Sequence, residues 1–110
     1  MKKYNLLSII IPAYNEEKTI GHILKLVVNS RLNIKKEIIV VNDGSIDDTR
    51  VMVRDFIKKN PKNKIYLVNK KNNGKGSAVK LGLSLARGQI VIIQDADLEY
   101  DPNDYQKCIQ

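Results

Sequence analysis

The chain has one cysteine, one histidine, one phenylalanine and no tryptophan among its 110 residues. A lone Cys108 excludes an internal disulfide framework and fits a reducing compartment. His22 is the only histidine, so a zinc site of the Cys/His kind has no ligand set. Aromatic residues are too few to build the stacking platforms that bind unpaired bases in nucleic acids, and no nucleic-acid partner is expected. No apolar run approaches the ~20 residues that cross a bilayer. Met1-Lys2-Lys3 leads straight into a strand pattern, without the apolar stretch of a cleavable signal.

What is present suits one compact domain. Hydrophobic residues make up 43% and charged residues 28%, ordinary for a globular protein. Lys and Arg outnumber Asp and Glu by 19 to 12, a net charge of +7. Such an excess draws anionic partners by long-range attraction, nucleoside diphosphates among them. No short stretch is purely basic, so each single lysine is also readable as solvated surface.

Four apolar runs of strand length punctuate the chain: Leu6 to Ile11, Glu37 to Val41, Ile65 to Val68 and Ile90 to Ile93. They are continuous rather than alternating and rich in Ile and Val, as in strands covered on both faces of a parallel sheet. Helical periods lie between them. Ile20, Ile23, Leu24 and Val27 form the first stripe, with Asn15 as the expected cap and Glu16 and Glu17 in the first turn. Ser45-Ile46-Asp47-Asp48 reads as a capping box for a second helix carrying Met52, Val53, Phe56 and Ile57, closed by Asn60-Pro61. The third carries Ala78, Leu81, Gly82 and Leu85, with a glycine-type stop at Arg87-Gly88. Asp101-Pro102 reads as the start of a fourth, which has only begun where the sequence reaches Gln110. The pattern predicts an α/β fold: a Rossmann-like, mostly parallel sheet with helices on both faces.

Ligands of open α/β sheets bind beyond the carboxyl ends of the strands. The connections leaving those ends are largely polar. They read Pro12-Ala13-Tyr14-Asn15-Glu16, Asn42-Asp43-Gly44-Ser45, Asn69 to Gly76, and Gln94 to Glu99. The opposite edge shows no comparable convergence. Asp95-Ala96-Asp97 is the sharpest feature, because two carboxylates two residues apart after a strand suit Mg²⁺ or Mn²⁺ shared with a phosphate. Glu99 stands one further step along. Such acids also serve as plain caps and turn formers. Asn73-Gly74-Lys75-Gly76-Ser77 opens the third helix, where backbone N–H groups and the Lys75 charge favour an anion. It is not a Walker A loop, since Gly76 stands where Ser or Thr is needed. Asp43 could accept from a base or ribose, or simply form a turn with Gly44. Tyr14 could flank a base and Glu16 accept from a ribose hydroxyl, and both are also explicable as helix entry.

Taken together, these four connections resemble the family 2 glycosyltransferases, especially the polyprenyl-phosphate mannosyl and glucosyl transferases. The matching stretches are Ile9 to Glu16, Val40 to Ser45, Asn73 to Ala78 and Asp95 to Pro102, in the expected order over nearly the whole chain. The resemblance implies that residues 1–110 are the nucleotide-sugar-binding half of an A-type glycosyltransferase fold. Pro12, Ala13, Tyr14, Glu16, Val41 and Asp43 would surround base and ribose. Asp95 and Ala96 would border ribose and diphosphate, with Lys75 near the phosphates. Asp97 would hold the metal, with Asp95 and Glu99 as further ligands. Asn42 departs from the pattern, standing where many relatives carry an acid.

The implied reaction is inverting, metal-dependent transfer of a sugar from a UDP- or GDP-linked donor to an acceptor, a polyprenyl phosphate in the branch named above. That implies a cytoplasmic location, at the cytoplasmic face of a membrane for a lipid-linked acceptor. The family domain runs to about twice this length, and its second half carries the acceptor site and the catalytic base. The resemblance therefore places that base beyond Gln110, and no residue of the chain is assigned to the role. A non-catalytic nucleotide-binding fragment is the competing reading. A dinucleotide-dependent oxidoreductase would need Gly-x-Gly-x-x-Gly after the first strand, and Pro12 to Glu16 has no glycine.

Overall fold

The computed structural model of the chain describes residues 4–96. Asp97, Glu99, Cys108, Gln110 and the helix expected from Asp101-Pro102 lie outside the described residues. The catalytic base expected beyond Gln110 lies outside them too. Four strands and three helices alternate: β1 (Leu6–Ala13), α1 (Ile20–Asn29), β2 (Lys35–Asp43), α2 (Thr49–Lys59), β3 (Lys64–Lys70), α3 (Lys75–Leu85) and β4 (Ile90–Ile93). The sheet is parallel throughout, in the order β3-β2-β1-β4. The Ile/Val runs thus become a parallel sheet, as their continuity predicts.

Alternate residues of the two central strands serve two cores. Leu7, Ile9 and Ile11 of β1 with Ile38 and Val40 of β2 pack under Ile20, Ile23, Leu24 and Val27 of α1 and Val53 of α2. Ile10, Ile39 and Val41 face the other way, against Ala78 of α3. Each Val, Leu or Ile side chain so buried contributes roughly 1.5–3 kcal/mol. Coverage fades at the edges. Tyr66 on β3 and Val91 and Ile93 on β4 are half exposed, so burial on both faces holds for β1 and β2 only.

The chain walks one way along the sheet through β1, β2 and β3, then returns past β1 to β4. With crossovers of one hand, that reversal sends α3 to the opposite face from α1 and α2. It also opens a crevice at the carboxyl ends of β1 and β4. Gly82 lets α3 come close to the sheet: a Cβ there would stand 2.5 Å from Ile10 Cγ2.

Helix ends differ from the sequence reading in three places. α1 begins at Ile20, behind a turn in which the Glu16 carbonyl accepts from the N–H groups of Thr19 and Ile20. Asn15 is no cap; it takes a left-handed φ of 52° and ties loops together instead. The Ser45 box does not form, because the Ser45 hydroxyl accepts from the Asn15 N–H at 2.9 Å and α2 starts at Thr49. Gly88 does not end α3 in a left-handed conformation. The helix ends on Ala86 in extended conformation, and Gly88 N–H donates to Ser8 Oγ at 2.8 Å.

That last contact belongs to a clasp at the amino edge of the sheet. The buried Glu37 carboxylate accepts from Ser8 Oγ at 2.6 Å and from the Arg87 N–H at 2.8 Å, and pairs with Arg87 Nη2 at 3.3 Å. Burial pushes the Glu37 carboxyl up, but the Ser8 and Arg87 donors outweigh it and hold it below the ordinary carboxylate range. The α3–β4 connection is thereby pinned onto β1 and β2.

Gly82→Ala is expected to lower stability by about 1–2 kcal/mol in urea denaturation, despite the better helix propensity of alanine. A neutral or stabilising effect would mean that α3 packs less closely on Ile10 than described.

Candidate functional site

A cavity of about 440 Å³ lies at the carboxyl edge of the sheet. Pro12, Ala13, Tyr14 and Glu16 reach it from the end of β1, and Asp43 from the end of β2. Asn72, Gly74, Lys75 and Ala78 come from the β3–α3 connection and the first turn of α3, and Asp95 and Ala96 from beyond β4. All four connections singled out in the sequence therefore meet at one hollow.

Val41 is the exception. It is fully buried in the cluster under α3 and does not line the cavity. Its place on the α3 face of β2 points its side chain into the core. Asn72 is the converse: a lining residue that the sequence reading did not single out. A polar residue in a polar loop carries no signal that separates it from its neighbours.

The loops around the cavity are stitched to one another. Asn15 Oδ1 accepts from the Ile46 N–H at 2.9 Å, and Thr49 Oγ1 accepts from the Glu16 N–H at 2.8 Å. Asp47 Oδ2 accepts from the Glu17 N–H at 3.2 Å. Asn42, almost fully buried, donates through Nδ2 to Asn69 Oδ1 at 2.9 Å and accepts from the Ser45 N–H at 3.1 Å. A carboxylate at position 42 could not make the donating half of that pair.

Asp43 is the centre of the arrangement. Its side chain is nearly inaccessible to solvent. Oδ1 accepts from Lys70 Nζ at 2.8 Å and from the Asn73 N–H at 3.0 Å. Oδ2 accepts from the Gly74 N–H at 2.9 Å. Burial pushes the carboxyl up, yet the Lys70 ammonium and the two backbone N–H groups together hold it below its ordinary value. Gly44 follows with φ 70°, and a Cβ there would meet the Asn72 nitrogen at 2.6 Å. Only glycine suits both the turn and the close passage of the next loop.

These bonds fix where α3 begins. Its N-terminus has no side-chain cap, and Lys75 stands at its first position beside the cavity. A helix start of this kind favours an anion, through the helix dipole and the N–H groups of its first turn. Lys75 Nζ is in direct contact with Asp95 Oδ1. The Lys75 side chain is 62% exposed and Asp95 15%, so the ammonium reaches in from the rim to a largely buried carboxylate. Asp95 thus already faces a cation of the chain itself. Among the described residues no group of three or more His, Cys, Asp and Glu stands close enough to hold a metal. Asp97 and Glu99 lie outside the described residues.

Asp43→Asn keeps the shape but removes the charge that answers Lys70. A loss of about 3 kcal/mol is expected in urea denaturation at pH 7. Because the folded carboxyl is depressed, its contribution is whole above the unfolded value of about 3.9 and fades as pH falls through the lower folded value. The variant should therefore lose less on acidification than the parent. Equal stability of the two at pH 7 would contradict this account of the clamp.

Comparison with known proteins agrees with this geometry. Residues 8–110 match the model of glycosyl transferase family 2. The dolichyl-phosphate beta-glucosyltransferase of Dictyostelium discoideum is 36% identical over 109 residues, covering 92% of this chain and 33% of that protein. A mannosyltransferase of Pyrobaculum calidifontis, solved in complex with GDP-Man and Mn²⁺, superposes with a TM-score of 0.83 at 29% identity, over 94% of this chain and 30% of that one. TarS of S. aureus (residues 1–349), solved with UDP-GlcNAc, gives 0.79 at 28% identity, over 94% and 29%. The chain thus spans about a third of the length of the relatives it matches. A family match over nearly all of the chain, an A-type glycosyltransferase sheet and a cavity fed by all four connections agree: the chain belongs to glycosyl transferase family 2.

Proposed function

We propose that this chain is the donor-binding half of an inverting glycosyltransferase. It takes a UDP- or GDP-linked sugar with Mg²⁺ or Mn²⁺ and serves transfer to an acceptor such as a polyprenyl phosphate. The observation that carries the reading is the convergence of Tyr14, Asp43, Lys75 and Asp95, from four separate connections, on one cavity. Support comes from the GDP-Man, UDP-GlcNAc and Mn²⁺ held by its structural relatives. The lipid phosphate named in the dolichyl-phosphate relative supports the acceptor class and action at a membrane surface. No helix among the described residues is long and apolar enough to cross a membrane.

In this reading Tyr14, about half exposed, offers a ring face to the base. Glu16 accepts from a ribose hydroxyl, and the backbone at Pro12, Ala13 and Ala96 shapes the floor. Lys75 and the first turn of α3 take the diphosphate, whose charge grows as the sugar departs. Asp95 and Asp97, with Glu99, would hold the divalent ion, which as a Lewis acid would stabilise the leaving diphosphate. The carboxylate oxygens of these acids are the donor type such an ion takes, and Asp95, the described one, stands beside Lys75 at the start of α3. The acceptor site, and the base that a hydroxyl acceptor would need, would belong to the remainder of the family domain, beyond Gln110; a phosphate acceptor is already ionised.

Titration calorimetry with UDP and GDP, each with and without Mn²⁺, tests the proposal. Binding of at least one nucleotide, strengthened by metal, is expected. Lys75→Ala should weaken the diphosphate roughly tenfold, the scale of one charge-assisted contact. Asp97→Ala should abolish the strengthening by Mn²⁺, and unchanged affinity there would remove the metal assignment. Absence of binding for both nucleotides would overturn the reading. A sugar-transfer and hydrolysis assay on the same protein separates an enzyme from a binding module.

A further inference from the structure

Asn73 is the only asparagine of the sequence that a glycine follows. An Asn-Gly pair carries a reaction within itself. The glycine nitrogen, once hydroxide has taken its proton, attacks the carbonyl carbon of the asparagine side chain. A C–N bond forms, the C–NH₂ bond breaks, and ammonia leaves with a proton from water. Water then opens the five-membered succinimide at either carbonyl, giving aspartate or isoaspartate. Glycine favours the attack because no side chain crowds its nitrogen.

The surroundings of Asn73 and Gly74 both promote and restrain this step. Asn73 is exposed and borders an open hollow with Gly76, Ser77 and Val79. Its side chain makes no hydrogen bond among the described residues, so the amide is open to attack. Gly74 is the N-cap of α3, and a Cβ there would meet nothing within 4 Å. The helix dipole and the charge of Lys75 favour a nitrogen that has lost its proton. The restraint is Asp43. Its Oδ2 accepts from the Gly74 N–H at 2.9 Å, and its Oδ1 from the Asn73 N–H at 3.0 Å. Removing the Gly74 proton forfeits a charge-assisted bond and sets two negative charges against each other. Asp43 is also too weak a base to take that proton itself, because its carboxyl is held below the ordinary range.

We propose that Asn73 is a self-modification site of this protein, which converts to aspartate and isoaspartate when Asp43 releases the Gly74 N–H. Isoaspartate inserts one more backbone carbon between the nitrogens of residues 73 and 74. The two N–H groups that chelate Asp43 then no longer match one carboxylate, and the start of α3 comes loose. The product also carries a new negative charge beside Lys75 and the first turn of α3. In the donor-binding reading, on which this consequence alone rests, that charge repels the diphosphate.

Peptide mapping by mass spectrometry, on the intact chain held in mildly alkaline buffer, tests the proposal. Trypsin cuts after Lys71 and Lys75, and fragmentation of residues 72–75 reads the conversion at Asn73. In urea, Asn73 should convert before any other asparagine. In the folded parent it should convert at least about tenfold more slowly, the scale of one charge-assisted hydrogen bond. Hydrogen exchange at the Gly74 N–H, followed by NMR, isolates the loss of the proton and should be slowed to a similar degree. In Asp43→Ala, shown to be folded by circular dichroism, conversion should speed up toward the rate in urea. The proposal is overturned by a folded rate equal to that in urea or by free exchange at Gly74. It is overturned equally by a folded Asp43→Ala that converts no faster than the parent, or by a folded parent in which other asparagines convert and Asn73 does not. Calorimetry with UDP and GDP, with Mn²⁺ present, reads the consequence. Aged parent should lose nucleotide binding in proportion to the converted fraction, and aged Asn73→Ser should bind as it does when fresh. Full binding by converted protein would overturn the consequence. A fresh parent that binds neither nucleotide would overturn the donor-binding reading, while the mass and exchange results still decide the modification itself.

Discussion

A single buried carboxylate, Asp43 at the tip of a central strand, governs the working edge of this molecule. A charge out of water is costly unless it is paired and hydrogen-bonded on every side. The β3–α3 connection meets that demand with one ammonium and two backbone N–H groups. In doing so it is drawn across Gly44 and made to start α3 beside the cavity. The same bonds fix Asn72, Gly74 and Lys75 relative to β2. Once that connection is set, the sheet order does the rest. The return of the chain past β1 to β4 brings Asp95 to the rim where Lys75 meets it.

The two edges of the sheet use similar chemistry for different ends. At the amino edge, Glu37 is enclosed by Ser8 and Arg87 and closes the α3–β4 connection. That network ties elements together. At the carboxyl edge, the partners are distributed around an open hollow, and the cation on Asp95 is a mobile kind of group: a long side chain exposed over most of its surface. In the donor-binding reading, a diphosphate that draws this ammonium away leaves the largely buried Asp95 carboxylate to the divalent ion. The positive excess of the chain favours the approach of that anion.

Much of this was legible in the sequence because burial leaves a periodic trace. The Ile/Val runs of β1 and β2 announced a parallel sheet, and the Ile20-Ile23-Leu24-Val27 stripe announced α1. The rule that ligands sit beyond strand ends then gathered Tyr14, Asp43, Lys75 and Asp95 at one edge. Polar partners leave no such trace. Ser45 next to two acids looked like a local cap, whereas its hydroxyl serves Asn15 from another loop. Gly88 looked like a helix stop, but its role is close approach to Ser8, about eighty positions away in the chain. Val41 sits in a site motif, yet strand alternation turns it into the core. Glu37 and Arg87 are fifty residues apart and gave no sign of their pairing.

The central claim is that the four connections at the carboxyl edge form one donor site set in place by Asp43. A crystal structure of the protein with UDP or GDP and Mn²⁺ tests it most directly. The account predicts the base beside Tyr14 at the carboxyl ends of β1 and β2, the diphosphate at the start of α3, and Asp43 still bound to Lys70, Asn73 and Gly74. A nucleotide seated elsewhere, or one that pulls Asp43 out of its loop to bind the base directly, would contradict it.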